Sequence, residues 1–299
     1  MPEILMCETN VSEGRRREIV EQLVGAVRNV EGVKVADWSA DADHNRAVIT
    51  YVGPPDRVLE AAKVLAKAAL EHIDIRQHHG EHPRMGALDV VPFIPLRDVS
   101  TERAVEIARQ FGRWLGEQGV PVYYYEDAAT RPERVSLPKI RKGEYESLPD
   151  KLADPEWAPD EGPAEFNPRA GATVTGARFP LIAFNVNLRT TDLEIAQTIA
   201  RAVRHISGGY ACVRGMGFAL EEKGMVQVSM NLTNYTRTPI PRVLETVRSE
   251  AARYGVAVAG TELIGPVPLG ALEEVVRHYL QTHDFHAEQV VEMSLLADG

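Results

Sequence analysis

Two cysteines in 299 residues, Cys7 and Cys212, are too few for a disulfide framework and suit a reducing compartment. Aromatic residues make up only 6% of the chain, and no strand-like run mixes them with basic residues as an RNA-binding sheet does. Lys and Arg number 33 against 43 Asp and Glu, a net charge of −10. That balance argues against nucleic-acid phosphate binding as the main task. The longest apolar runs, residues 181–184 and 90–95, fall far short of the ~20 residues of a membrane span. The opening MPEILMCETN carries Glu3 and no basic stretch, so no secretory signal is expected. What is present is ordinary for a globular protein: 44% hydrophobic and 25% charged residues. At about 150 residues per domain, two cytoplasmic domains are expected, with no membrane and no nucleic-acid partner.

The first half reads as alternating blocks. An apolar segment at 3–9 ends at Asn10, Ser12 and Gly14, and Ser12 is placed to cap a helix carrying Ile19, Val20, Leu23, Val24 and Val27. Strand-like runs at 33–38 and 46–52 precede a second amphipathic helix through Val58, Leu65 and Ala69. After the irregular segment 77–86 comes LDVVPFIPL, whose prolines at 92 and 95 favour an edge strand or a bulge. A helix near 101–118 and a strand at 122–125 follow. The second half repeats the order: a strand at 181–188, a helix at 191–205, a hairpin of 211–220 with 225–232, a helix at 241–254, a strand at 256–265 and a helix from about 268. Both halves contain a β-α-β-β-α-β order, so the expected class is α+β with two ferredoxin-like subdomains, residues 1–178 and 179–299. Residues 127–178, rich in Pro, Gly, Asp and Glu, read as a long connection without regular structure, which is more often functional than idle.

Alternation in the second half places Ile182, Phe184, Val186 and Leu188 on one face, with Asn185 and Asn187 opposite. Val226, Val228, Met230 and Leu232 likewise oppose Gln227, Ser229 and Asn231. A ferredoxin-like sheet carries helices on one face only, so an amide-rich face is left for solvent or for a ligand.

Chemistry concentrates in Q-H-H-G-E-H-P-R-M-G-A-L-D, residues 77–89. Histidine both takes and returns a proton near neutral pH, and Pro83 stiffens the backbone beside His82. HHGEH lacks the helical spacing of HExxH, so no metal is expected, and solvated helix-capping is the plain reading of His78 and His79. Asp37, Asp41, Asp43, His44, Asn45 and Arg46 gather acid, amide and base at one hairpin. Arg46, Arg84, Arg169 and Arg178 offer guanidinium forks for a dicarboxylate. The glycines and hydroxyls of residues 171–178 permit close approach of backbone to a ligand, without the ending of a P-loop. Cys7 and Cys212 read as packing residues in strands.

GEHPRMGALDVVPFIP (80–95), GATVTGARFPLIAFNVNL (171–188), C-x-x-N-x-S-E-G (7–14), H-N-R (44–46), Y-V-G-P-P (51–55) and I-R-K-G-E-Y-E (140–146) together resemble the formiminotransferase family over essentially the whole chain. The resemblance implies transfer of a formimidoyl group from N-formimidoyl-L-glutamate to N5 of tetrahydrofolate, the co-substrate, late in histidine breakdown and as part of one-carbon metabolism. It also implies two α/β subdomains with substrates in a cleft between their sheets, a homodimer, and a separate cyclodeaminase acting next. By the family's motifs His82 is the catalytic histidine. Gly162, Pro163, Ala164, Glu165, Phe166, Asn167, Pro168, Arg169, Ala170 and Gly171 match the stretch assigned to folate. Arg46, Arg84 and Arg178 are expected on the glutamate carboxylates, and Asn10, Asn185 and Asn187 on pterin or amidine nitrogens. Ser39 stands in the segment after Asp37 where animal members carry an acid; if that acid orients the histidine, Asp37 or Asp41 replaces it here. Competing readings are a formyl transfer between 5-formyltetrahydrofolate and glutamate, a non-catalytic folate- or amino-acid-binding module, and a metal hydrolase.

Overall fold

The computed structural model describes residues 3–293. The chain divides into two compact units, one running to Arg178 and one from Phe179 onward. The fold is α+β with two sheets of ferredoxin-like character.

The first unit runs β1 (Ile4–Val11), α1 (Arg17–Arg28), β2 (Lys34–Asp41), β3 (Arg46–Gly53), α2 (Pro55–His72), β4 (Leu88–Arg97), α3 (Thr101–Glu117) and β5 (Val122–Glu126). Two short helices, α4 (Leu137–Ile140) and α5 (Leu148–Ala153), precede β6 (Thr173–Ala177). Strand order is β2-β3-β1-β4-β6-β5. The first four strands are antiparallel and, with α1 and α2, form the expected β-α-β-β-α-β unit. The extension is parallel, because β6 inserts between β4 and β5.

Four sequence readings are corrected here, one of them in part. Residues 171–178 are not a ligand-approach loop: they hold the fully buried strand β6. A Cβ at Gly171 would lie 2.1 Å from the Met85 carbonyl oxygen and one at Gly176 2.3 Å from that of Tyr125, so the close approach is to the chain's own backbone. Nor is 127–178 without regular structure. LDVVPFIPL is an interior strand, so of the two readings its prolines offered the edge fails and the bulge holds. Its register with β1 passes from Cys7↔Phe93 to Asn10↔Val90 with Pro92, which has no N–H, in the gap, and shifts at Pro95–Arg97. Finally, Ser12 does not cap α1. Its hydroxyl donates to Gly86 O at 2.7 Å, while the buried Glu13 carboxylate accepts the N–H groups of Arg15 and Arg16 at 2.9 Å each.

Helices α1–α3 bury one sheet face around Leu23, Ile49, Tyr51, Phe93 and Phe111, all fully buried. On the other face Ile140, Leu148 and Leu152 from α4 and α5 cover Val90, Tyr123, Tyr125 and Val174. This second cluster reaches only the β4-β6-β5 end. On the same face toward β1 and β3, alternation puts Glu8, Asn10 and Arg46, opposite the buried Cys7, Thr9 and Ala47.

The second unit runs β7 (Ile182–Leu188), α6 (Leu193–Val203), β8 (Val213–Leu220), β9 (Met225–Leu232), α7 (Ile240–Ala252), β10 (Val258–Ile264) and α8 (Leu269–Leu280). It is an antiparallel sheet of order β10-β7-β9-β8. The apolar faces of β7 and β9 are buried as their alternation requires, against Ile199, Val243 and Val247 of the helices. Cys212 is not in a strand: it lies in the turn before β8 with φ +61°. Among the described residues no helix is long and apolar enough to cross a membrane.

Candidate active site

The loop that carries His82 is held from both ends by groups the sequence places in its motifs. His78 is buried, not solvated as its neighbours in sequence led one to expect. Its Nε2 donates to Asn45 O at 2.7 Å and its Nδ1 accepts Arg84 Nε at 3.2 Å. An arginine has no acceptor, so this assigns the neutral Nε2–H tautomer, and burial lowers the His78 pKa further in favour of that form. Asn45, buried with φ +48°, donates to His79 O at 3.1 Å and accepts Gly14 N–H at 3.0 Å. Gly80 packs so tightly that a Cβ would lie 2.4 Å from His44 O. Beyond Pro83, Arg84 clasps Glu144 at 2.9 Å and Glu146 at 2.5 Å. Met85 N–H then bonds Asp89 at 2.8 Å, and Asp89 is ion-paired with Arg141.

His82 itself is half-buried. Its Nε2 lies 3.0 Å from Arg46 Nη1, which also reaches Asn10 Oδ1 at 3.5 Å. Because guanidinium only donates, the His82 lone pair at Nε2 is the acceptor and the ring is neutral, with its proton on Nδ1. Burial first, then the charges of Arg46 and Arg141, hold its pKa down at about 3. Among the described residues, Arg46 and Arg141 each keep a buried Nε with no hydrogen-bond partner. A recess of about 280 Å³ lined by Pro83, Pro138, Arg141 and Lys142 lies beside the loop. The arrangement is an unprotonated histidine beside two guanidinium groups, Arg46 without a carboxylate partner among the described residues and Arg141 paired with Asp89, which suits an anionic donor and a proton acceptor in one place.

Of the predicted carboxylate ligands, Arg46 stands at His82. Arg84 is spent on Glu144, Glu146 and His78, and it fastens the loop to the segment after α4. Arg178 is buried against Glu8 and Tyr125. The expectation that Asp37 or Asp41 orients His82 is not met. Asp41 accepts the N–H groups of Asp43 and His44 and pairs with the His44 ring at 3.0 Å, while Asp37 is exposed on β2. Arg141 escaped the sequence reading although it lies in a quoted motif. Its only signal was an Arg-Lys pair inside a turn-rich connection.

Residues 162–171 form an exposed turn-rich strip that becomes buried at Ala170 and Gly171. Asn167 Oδ1 accepts the N–H groups of Arg169 and Ala170 at 3.2 and 3.0 Å, Phe166 stacks on Tyr145 with ring centres 5.4 Å apart, and Arg169 donates to Glu71 O at the end of α2. The strip ends on the histidine loop, where Ala87 N–H bonds Ala170 O at 2.9 Å.

On the helix-free face of the second sheet, Asn187 donates to Glu262 at 3.1 Å, and Gln227 donates to Asn187 at 2.8 Å and to Glu262 at 3.0 Å. Asn187, then Lys223 and Asn185, hold the Glu262 carboxyl below its ordinary range. Glu262 was missed in the sequence because β10 shows no apolar alternation to flag its face.

Comparison with known proteins places these observations. The family profile of the formiminotransferase domain, N-terminal subdomain, matches residues 4–178, and that of the formiminotransferase domain matches 183–296. The chain is 46% identical over 298 residues to a glutamate formimidoyltransferase of Streptococcus pyogenes, covering 99% of this chain and 100% of that one. It is 45% identical to a glutamate formimidoyltransferase of Thermoplasma acidophilum, covering 98% of this chain and 97% of that one. With the formimidoyltransferase-cyclodeaminase of Rattus norvegicus it shares 46% identity over 93% of its own length and 53% of the relative's. The chain therefore belongs to the formiminotransferase family and is a transferase.

Proposed function

We propose that the protein transfers the formimidoyl group of N-formimidoyl-L-glutamate to N5 of tetrahydrofolate, giving 5-formimidoyltetrahydrofolate and L-glutamate. The observation that carries this reading is the neutral His82 ringed by Arg46 and Arg141, in a chain nearly half identical to curated formimidoyltransferases. N5 attacks the formimidoyl carbon, forming a C–N bond and a cationic N5. His82, starting unprotonated, takes the N5 proton and becomes imidazolium. It then returns that proton to the glutamate nitrogen as the old C–N bond breaks, because an amine leaves poorly as an anion. Each product balances, and no step requires a metal or a covalent enzyme intermediate.

Arg46 and Arg141 bind the donor's carboxylates, with Asn10 beside them. Residues 162–171 take the folate, supported by their tie to the histidine loop. Asn185 and Asn187, with Glu262, read polar ring nitrogens. We further place the enzyme in the cytoplasm as a homodimer, in histidine breakdown, with a cyclodeaminase activity receiving its product. The bifunctional rat relative, half of which this chain spans, supports that last step.

The test follows the folate by mass spectrometry after incubation with formimidoyl-glutamate or formyl-glutamate, with H82A alongside. Folate gaining the formimidoyl mass only with the wild-type enzyme is the expected result, with turnover reduced roughly 10²–10⁴-fold in H82A. Product from the formyl donor alone would assign the sister reaction. Bound folate with no product from either would leave a binding module.

A further inference from the structure

The contact between Arg46 and His82 poses a problem that the transfer reaction does not by itself solve. A base needs its lone pair, and in this structure that lone pair is occupied by a guanidinium N–H at 3.0 Å. The contact joins a cation to a group that the reaction must turn into a second cation. Among the described residues, no carboxylate anchors Arg46 there. Its other hydrogen-bond partner is Asn10 Oδ1 at 3.5 Å, and its buried Nε has none. Carboxylates do lie within electrostatic range, Asp41, Asp89 and Glu8. Each is engaged: Asp41 with the His44 turn, Asp89 with Arg141, and Glu8 with Arg178. Arg46 is thus a charged fork with capacity to spare, resting on the histidine.

Resting on the transferase reading above, we infer that Arg46 is a positioning residue that couples donor binding to catalysis: the donor's carboxylate draws the guanidinium off His82 Nε2, and only then can the imidazole take the N5 proton. A guanidinium hydrogen bond to carboxylate is charge-assisted and bidentate, and stronger than one to a neutral ring nitrogen, so the exchange is downhill. The same move neutralises the charge nearest the ring. The groups facing His82 are Arg46 from β3, Arg141 from the turn after α4, His44 from the β2–β3 turn and His78 from its own loop, all of them lowering its proton affinity. Pairing Arg46 with a substrate anion removes the largest of these charges, and the pKa rises from about 3, with burial, the larger cause, still holding it below the ordinary histidine value. Specificity follows from the coupling. A donor without a carboxylate binds without freeing the base, so it fails in turnover and not only in affinity.

Titration of the His82 ring by proton–carbon NMR, assigned by its absence from H82Q, reads this directly. In the free enzyme His82 is expected to stay neutral to well below pH 5. Saturating L-glutamate should raise its pKa by about one unit or more, and R46Q should raise it without glutamate. In turnover, formamidine as donor should show a depressed kcat that added propionate partly restores in the wild type but not in R46Q. His82 titrating near 6.5 in the free wild-type enzyme overturns the inference. So does glutamate that binds, by shifts elsewhere in the spectrum, yet leaves His82 unmoved; formimidoyl transfer persisting in that case leaves the transferase reading standing. Glutamate that binds nowhere, with no transfer, takes down both. The wild-type titrations need no variant to fold.

Discussion

At the residue scale, His82 ties stability to pH with a definite sign. In the folded protein the ring accepts a proton only near pH 3, whereas an unfolded histidine does so near 6.5. Between those values the unfolded chain holds more protons, so acidification favours unfolding. Stability contributed by the neutral ring is full above pH 6.5 and is lost as pH falls toward 3. Urea midpoints of wild type and H82Q at pH 7.5 and 5 should therefore diverge, the wild type losing more on acidification; His78, depressed in the same direction, is common to both and cancels. The residue scale is also where sequence reading succeeded and failed most instructively. His82 stood out because a loop between helix and strand mounts reactive groups, its role came from the family motifs alone, and Arg46, at the start of β3, was one of several arginines offered for a carboxylate. The role of Arg84 was not legible, since its partners Glu144 and Glu146 lie 60 residues or more away and an arginine alone cannot announce which carboxylate it will meet. His78 was misread for the same reason: its burial is created by Asn45, from a different hairpin.

At the scale of elements, the segment from α4 to β6 is where prediction from pattern ran out. Period-2 alternation marked β7 and β9 because one face of each meets helices and the other does not. β6 is buried on both faces, with Thr173 and Thr175 donating to Leu88 O and Val91 O, so its polar residues read as a loop. The covering segment depends on Arg134, fully buried, ion-paired with Asp160 at 2.8 Å, bonded to Ala158 O at 2.6 Å and stacked on Tyr123 and Trp157. R134A removes the ion-pair partner of Asp160 and leaves its carboxylate only the Tyr124 N–H and the Thr130 hydroxyl. A loss of about 3–5 kcal/mol in urea unfolding is expected. G171A makes a second test of the same region, since φ +69° and the Met85 carbonyl both resist a Cβ. It should lower thermal stability and, by shifting Met85, slow turnover more than it weakens folate binding.

At the scale of the whole molecule, a net charge of −10 surrounds a local cluster of Arg46 and Arg141. The global field repels an acidic donor while the cluster attracts it, and salt screens both. Because the cluster is at contact range, its contribution dominates the bound state. KM for the donor should rise between 0.05 and 0.5 M salt (about a threefold drop in Debye length for a tenfold step), with kcat nearly constant. The exposed group Glu273, His286 and Glu288 could hold a cation, but it lies in the second unit among charged surface residues. Treatment with a chelator is expected to leave turnover unchanged, and a loss of activity restored by zinc would point to the hydrolase reading instead.

The insertion of β6 between β4 and β5 has a consequence for synthesis on the ribosome. β5 is complete by residue 126, yet the strand that joins it to the rest of the sheet begins at 173. Until then the emerging chain holds a four-stranded sheet with an open edge at β4, and β5 without a neighbour. An exposed strand edge is a template for pairing with other chains. Nascent chains halted near residue 165 should thus be cut readily by protease and bind holding chaperones, and chains halted past 220, with β6 clear of the exit tunnel, should resist both. The histidine loop shares that schedule, since its backbone is pinned by Ala170 and Ala172. The loop of His82 is assembled only after the last strand of the first unit has been threaded between β4 and β5.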